Sequence, residues 1–439
     1  MKKVLIITYY WPPAGGPGVQ RVLKFAKYLP EFGWQPIILT VQNGEYPAHD
    51  ESLFADIPKE CKVYKTPAIE PFSLYKKFTG MNSDEAIPVA ILTEKKKNWK
   101  KKLAHWIRLN LFIPDAKIGW IPYAVKAGKH IIRNEKPDII FSSSPPPTVH
   151  LIAKSLVLWS KIKWMADFRD PWTEIYHYDN LKQNKYSRFH DKILEKKVLE
   201  FADLLITVSK GFALLLKKKI SNPQKINVIS NGYDEEDFSY INSMQNFDKF
   251  VITYIGKMND QQNPINLWTV LGNLVKKNKK FAENLELLFM GNIADAIWKK
   301  IYETEIDNNI THTQYINHRT ALEKLMKSQI LLLLIPDTKK NNGIVPGKIF
   351  EYLATKNFIL GIGPKSGDAY RILNETKAGK MFEFNKIDGI KKEIERQYVN
   401  WQKGIKQKVN KEEIGKYSRR KLTEKLSKFF SEFILRSVF

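Results

Sequence analysis

The stretch KKVLIITYYWPPAGGPGVQRVLKFAKYLPEFGWQPIILTV, residues 2–41, decides the fold. Its β-rich run KVLIITYY, Lys3–Tyr10, is dominated by branched and aromatic side chains. The turn Ala14-Gly15-Gly16-Pro17-Gly18 follows, and beyond it Val19, Val22, Leu23, Ala26 and Leu29 recur at the spacing of one helical stripe. Gly33 sits where such a helix stops, and a second apolar run, Pro36–Val41, comes next. Strand, turn, helix and strand in that order specify a parallel sheet covered by helices.

The rhythm continues through PDIIFS from Pro137, a helix after Pro147, and strands expected at Ile162–Ala166 and Leu204–Val208, with Ser209 placed as an N-cap. Near Asn231-Gly232 the character changes, and the polar, acidic stretch to Asp248 reads as an interdomain linker. FVITYI, Phe250–Ile255, then ends in Gly256 and repeats the opening pattern. Further strands are expected at Leu285–Met290, Gln314–Ile316, Ile330–Ile335, Phe358–Ile362 and Lys380–Phe384. The fold class is therefore α/β, with Rossmann-like domains over residues 1–235 and 248–411. Ile414, Tyr417, Leu422, Leu426, Phe429, Phe430 and Phe433 mark one or two amphipathic terminal helices over 412–439, expected to pack back on the first domain.

Composition narrows the classes. At 439 residues and 43% hydrophobic content the chain can form more than one core. Cys61 is the lone cysteine, which excludes an internal disulfide or a cysteine-rich metal site and suits a reducing compartment. Trp11, Pro12 and Pro13 interrupt the first apolar run too early for a signal peptide, and no run approaches the roughly 20 residues that span a bilayer. A cytoplasmic protein, at most peripheral at the inner face of the cell membrane, is expected.

With 71 Lys+Arg against 46 Asp+Glu, the formal charge is 71 − 46 = +25, which favours anionic partners. The densest basic run is Lys95, Lys96, Lys97, Lys100, Lys101 and Lys102, and Trp99, Leu103, Trp106 and Ile107 recur beside it at helical spacing. Such a basic amphipathic helix either docks on an anionic membrane or packs on its own domain with a solvated face. No nucleic-acid module is present and the basic residues are spread along the chain, so nucleic acid is not an expected partner.

In open parallel sheets, ligands bind beyond the carboxyl ends of the strands. The most informative loop there is NNGIVPGKIFEY, residues 341–352. Pro346 suits a first helical position, Gly347 allows close approach to the backbone, and free N–H groups at the helix mouth attract an anion. Lys348 and Glu351, three apart, share a face: a cation for phosphates and a carboxylate for ribose hydroxyls. The alternative is an ordinary exposed ion pair. Lys257, after Gly256, offers a second positive charge to a leaving diphosphate. Gly291 and Asn292 follow one expected strand, and Asn317, His318 and Arg319 follow another; either loop suits the base, although His318 suits a helix cap equally well.

In the first domain, Gly15, Gly16 and Gly18 lack the G-x-G-x-x-G spacing, and the next strand ends at Thr40-Val41-Gln42 without an acidic residue, so a dehydrogenase is disfavoured. Asp167-Phe168-Arg169-Asp170 packs three charges at a strand end, favouring a pocket over a surface loop, with Ser142, Ser143 and Ser144 next to it in the alternation. No H-E-x-x-H, closely spaced histidines, D-x-D pair or Walker-type G-x-x-x-x-G-K-S/T occurs, so no metal and no further cofactor is expected.

Taken together, GGPGVQR from Gly15, PDIIFSSSPP from Pro137, ADLLITVS from Ala202, VISNGYD from Val228, the Gly256-Lys257 turn and PGKIFEYLA from Pro346 resemble the retaining GT-B glycosyltransferases of family 4, also called group 1. That resemblance implies two facing Rossmann-like domains, a UDP- or GDP-sugar held by the C-terminal one, an acceptor held by the N-terminal one, and a terminal helix crossing back. Residue by residue, Glu351 matches the second glutamate of the family's E-x7-E motif, and the first falls at Gly343. Lys257 matches a phosphate-binding arginine, and the usual partner lysine falls at Asn263. Ser143 and Asp167 stand where the family commonly has histidines.

The expected activity is transfer of a hexose-type sugar to a saccharide or lipid-linked acceptor in surface polysaccharide or glycolipid biosynthesis. Retention is expected through a front-face reaction in which the leaving phosphate takes the acceptor proton, with Lys257 and Lys348 stabilising the diphosphate. Asp167 or Asp170 is the base if the product is inverted. The donor is expected at Gly256, Gly291, His318, Gly347 and Glu351, and the acceptor at Gly15, Gly16, Gly18, Ser143 and Arg169. The competing readings are a nucleotide-sugar epimerase of the same fold and a non-catalytic anion- or nucleic-acid-binding protein.

Overall fold

The structure is a computed structural model and describes residues 1–46, 48–69, 99–174, 183–239, 247–314, 316–338 and 340–435. The chain divides into two compact units, Met1–Ser230 with Leu422–Phe439, and Asn231–Lys421.

The first unit carries strands β1 (Lys2–Ile7), β2 (Trp34–Val41), β3 (Lys62–Thr66), β4 (Ile139–Ser144), β5 (Lys163–Phe168), β6 (Leu204–Thr207) and β7 (Ile226–Val228). They pair in parallel in the order β3-β2-β1-β4-β5-β6-β7. The order reverses at β1, whose neighbours are β2 and β4. Connections from these neighbours leave toward opposite faces of the sheet, which opens a crevice at the carboxyl ends of β1 and β4.

The second unit carries β8 (Phe250–Ile255), β9 (Leu285–Met290), β10 (Ile310–Thr313), β11 (Ile330–Leu334), β12 (Phe358–Ile362) and β13 (Gly379–Phe382). Their parallel order is β10-β9-β8-β11-β12-β13, so the reversal falls at β8. A second crevice opens beyond Ile255, where the Gly256 turn begins.

Local chemistry explains the elements. The helix Pro17–Tyr28 starts on a proline and buries Val19, Val22, Leu23 and Ala26 against the first sheet. Each of the two valines and the leucine contributes about 1.5–3 kcal/mol of burial energy. Gly33, at φ 79°, ends the 3-10 turn Leu29–Phe32 in the left-handed conformation that glycine tolerates. Ser209 caps the helix Lys210–Lys217, its side chain accepting from the Phe212 N–H.

Some elements differ from the reading of the sequence. β10 covers Ile310–Thr313 rather than 314–316. β3 and β7 carry little apolar signal, because β3 is the basic, alternating KVYKT at a sheet edge and β7 is three residues long. The described part of the stretch read as a linker lies in the second unit, where the Tyr233 N–H donates to Tyr417 O at 3.1 Å and the Arg419 N–H to Tyr233 O at 2.8 Å. The short helix Lys411–Gly415 also stays there and buries Ile414. From Leu422 the final helix, Arg419–Leu435, belongs to the first unit. Its Phe430 ring lies 5.1 Å from Trp34 and 5.7 Å from Phe141.

No helix of the described residues is long and apolar enough to cross a membrane. The helix Trp99–Asn110 leaves Leu103 and Trp106 exposed, as is Leu111 just after it. Lys95, Lys96 and Lys97 lie outside the described residues, as do the side chains of Trp99, Lys100, Lys101 and Lys102.

Candidate functional site

In the first unit the sequence-predicted residues come together at the β1/β4 crevice, but several of them bind one another. Asp167, at the end of β5, is fully buried and accepts from Arg21, Nε to Oδ2 at 2.9 Å and Nη2 to Oδ1 at 3.0 Å. The Ser143 hydroxyl donates to the same carboxylate at 2.7 Å. Arg21 completes its fork on Ile229 O at 2.9 Å and Ser230 O at 2.8 Å. A carboxylate held by a bidentate guanidinium and a hydroxyl in a dry site is a strut between elements, with both oxygens already engaged inside the protein. The surroundings of Asp167 therefore disfavour the base role expected of it, and Ser143 serves the same strut.

Arg169 is occupied too. Its Nε donates to Ser144 O at 2.8 Å and its Nη2 to Pro145 O at 2.9 Å, while Nη1 donates to Gly18 O. The expected acceptor contact is thus a clasp that joins the glycine turn after β1 to the loop after β4. Gly18 lies on the Tyr10 ring, where an added Cβ would sit 3.3 Å from a ring carbon. Gly15 is similarly close-packed on Ala48 and Asp50, whereas Gly16 is exposed at φ 83° with open space beside it. Asp170 is exposed. Sequence reasoning missed His150, whose Nδ1 lies 2.8 Å from Ser142 Oγ and whose ring stacks on Phe168 at 4.4 Å. Burial, with Arg169 adding to it, pulls its pKa down to about 3, so this imidazole is neutral packing under the crevice.

In the second unit the turns after β8 and β9 touch. Gly256 and Gly291 have φ of 105° and 126°, and a Cβ on Gly291 would stand 2.5 Å from Gly256 O. Only glycine fits there, and the result is a bare backbone surface at the topological switch point. The helix Lys348–Thr355 brings Lys348 to this turn: Nζ donates to Ile255 O at 2.5 Å and lies 3.9 Å from the centroid of the Tyr254 ring. Burial lowers the Lys348 pKa to about 7, and Glu351 opposes the shift. Tyr254 and Tyr352, neither foreseen from sequence, brace the strand end. Tyr254 donates to Lys257 O at 2.8 Å, and the Ile255 N–H donates to Tyr352 Oη at 3.3 Å.

Gly347 is the N-cap of this helix and is exposed, with nothing within 4 Å of an added Cβ; Pro346 therefore precedes the cap instead of opening the helix. Glu351 extends from the first turn to His318 Nε2 at 3.0 Å. The cap of the helix His318–Lys327 is Asn317, which accepts from the Thr320 N–H at 2.8 Å, so the capping role weighed for His318 falls to its neighbour. Lys257 is exposed beside the Gly256 turn. Asn263 is turned to Trp268, whose indole N–H it accepts at 2.9 Å. The second unit thus gathers an amine, a carboxylate, a bare two-glycine turn and an open helix mouth at one crevice. Among the described residues, no group of three or more His, Cys, Asp and Glu side chains is placed to hold a metal ion.

The family profile described as Glycosyltransferase Family 4 matches residues 16–237, just over half of the 439 residues. The chain belongs to this family. No curated protein matches it. Among solved structures, the glycosyltransferase is similar to a glycosyltransferase from Rickettsia africae at 17% identity and a TM-score of 0.61, covering 99% of this chain and 98% of the other. It is similar to sucrose-phosphate synthase from Thermosynechococcus elongatus at 13% identity and a TM-score of 0.65, covering 99% and 100%. It also resembles Anabaena HepE, solved in complex with UDP-glucose, at 10% identity and a TM-score of 0.60, covering 98% and 100%. At such identities the likeness is one of fold, the GT-B type of two parallel-sheet domains.

Proposed function

We propose that this glycosyltransferase moves a hexose-type sugar from a UDP- or GDP-sugar, with retention of configuration, to a saccharide or lipid-linked acceptor in surface polysaccharide or glycolipid biosynthesis. The observation that carries the reading is Lys348, held beside the bare Gly256/Gly291 turn at the switch point of the second sheet. A diphosphate seated there meets the ammonium, the open helix mouth at Gly347 and the exposed Lys257, while Glu351 one turn on accepts from ribose hydroxyls. As the glycosidic bond breaks, charge grows on the diphosphate, and the same amines stabilise it without a metal. The acceptor proton passes to the leaving phosphate, which fits an Asp167 that is committed to Arg21. HepE is described in complex with UDP-glucose, which favours a uridine donor for this chain as well.

The exposed Leu103, Trp106 and Leu111, next to the basic run that starts at Lys95, suit peripheral contact with an anionic membrane that presents a lipid-linked acceptor. The test of the function is thermal-shift screening against nucleoside diphosphates and their sugars, followed by product analysis of the anomeric configuration. A ligand at 100 times its Kd stabilises the fold by about 2.7 kcal/mol. Turnover of a nucleotide sugar without any acceptor would point instead to an epimerase.

A further inference from the structure

We propose that His318 is a positioning residue that locks the Glu351 carboxylate into one rotamer and thereby sets selection of a ribose against a deoxyribose. This inference rests on the donor-site reading above and deepens it.

The two side chains come from separate elements, the helices His318–Lys327 and Lys348–Thr355. They meet at 3.0 Å with 41% and 31% of their side chains exposed. Both side chains stay open to solvent, so filling a core is not what this pairing achieves. Lys348, three residues before Glu351, is engaged with Ile255 O, so the imidazole is the side chain hydrogen-bonded to the carboxylate. His318 stands at the start of a helix fixed by the Asn317 cap, which gives it a defined origin.

A glutamate at a helix surface samples several rotamers, and ordering it on ligand binding costs free energy. With the proton on Nε2, the imidazole donates to Oε1 and leaves Oε2 free to accept from sugar hydroxyls. Prepaying that order concentrates the carboxylate where a vicinal diol needs it. A ligand lacking one hydroxyl leaves that acceptor unmatched.

The experiment is calorimetric titration of the wild type, His318→Ala, His318→Gln and Glu351→Ala with UDP and GDP and their 2′-deoxy counterparts. The wild type is expected to prefer the ribose form about tenfold. His318→Ala should lose most of that preference by weakening the ribose form, which places two hydroxyls on the carboxylate, more than the deoxy form, which places one, with the Tm unchanged. His318→Gln, which returns an N–H at similar reach, should recover part of it. Glu351→Ala should abolish the preference. Should His318→Ala keep the wild-type ratio, or weaken both forms equally, the inference falls while the donor site stands. Should neither nucleotide bind the wild type, the donor-site reading itself fails and takes this inference with it.

Discussion

Lys348 offers the sharpest test of the donor site, because its burial makes nucleotide affinity depend on pH in a direction that can be worked out. The folded-state pKa is lowered to about 7, so the free protein loses this charge as pH rises through that value. A bound diphosphate favours the ammonium, and binding near pH 8 must therefore take up a proton. At pH 7 about half of the free amines are charged and at pH 9 about one in a hundred, so the apparent Kd rises up to about fiftyfold, or about 2 kcal/mol. Contact of this partly exposed side chain with water moderates the shift, so about fiftyfold is the upper end of the expected change. An ordinary lysine near 10.4 would change affinity by less than about 5% over that range. The second ionisation of a phosphate, near about 6, is complete before it begins. The assay is calorimetry with UDP from pH 7 to 9 in two buffers of different ionisation enthalpy, on the wild type, Lys348→Arg and Lys348→Met. Arginine should bind with little pH dependence, and methionine weakly and flatly. A flat wild-type profile, or the wild-type slope persisting in Lys348→Arg, would refute the reasoning.

Breaking the Arg21–Asp167 pair should destabilise the first unit by about 3–5 kcal/mol in either Arg21→Ala or Asp167→Asn, read as a fall in Tm, since each leaves a buried group unmatched. Arg21→Lys should fail to restore it, because one ammonium cannot replace a fork that also reaches Ile229 O and Ser230 O. Gly291→Ala should cost at least about 2 kcal/mol and weaken UDP binding, because its Cβ would stand 2.5 Å from Gly256 O. Gly16→Ala has open space around it but sits at φ 83° and ψ −174°, a region that essentially only glycine populates, and should cost about 1–3 kcal/mol in a urea titration. Replacing Leu103, Trp106 and Leu111 with serine, or the lysines from Lys95 to Lys102 with glutamate, should each reduce sedimentation with anionic vesicles while leaving Tm unchanged. Equal sedimentation of all the variants would reject membrane docking.

The parallel sheets were legible from sequence because most of their strands are short buried apolar runs separated by helical stretches. FVITYI before Gly256 needs no partner to be read as a central strand, and the stripe from Val19 to Leu29 declares a covering helix. β3 and β10 were missed or shifted because edge strands with polar, half-exposed residues lack that signal. The Lys348/Glu351 face was readable for a local reason: three residues along a helix place side chains on one side.

What only the tertiary structure decided is how each charged group is used. Asp167, Arg169 and Ser143 read alike as pocket residues, yet their partners Arg21, Gly18 and Pro145 lie far away in sequence and convert them into struts. Likewise the Ile255 carbonyl and the Tyr254 ring determine where the Lys348 amine rests, and His318 fixes which way Glu351 turns. Periodicity along a chain reports which face is buried. Only the crossing of distant strands and loops determines which donor meets which acceptor, and therefore which charges remain for a ligand.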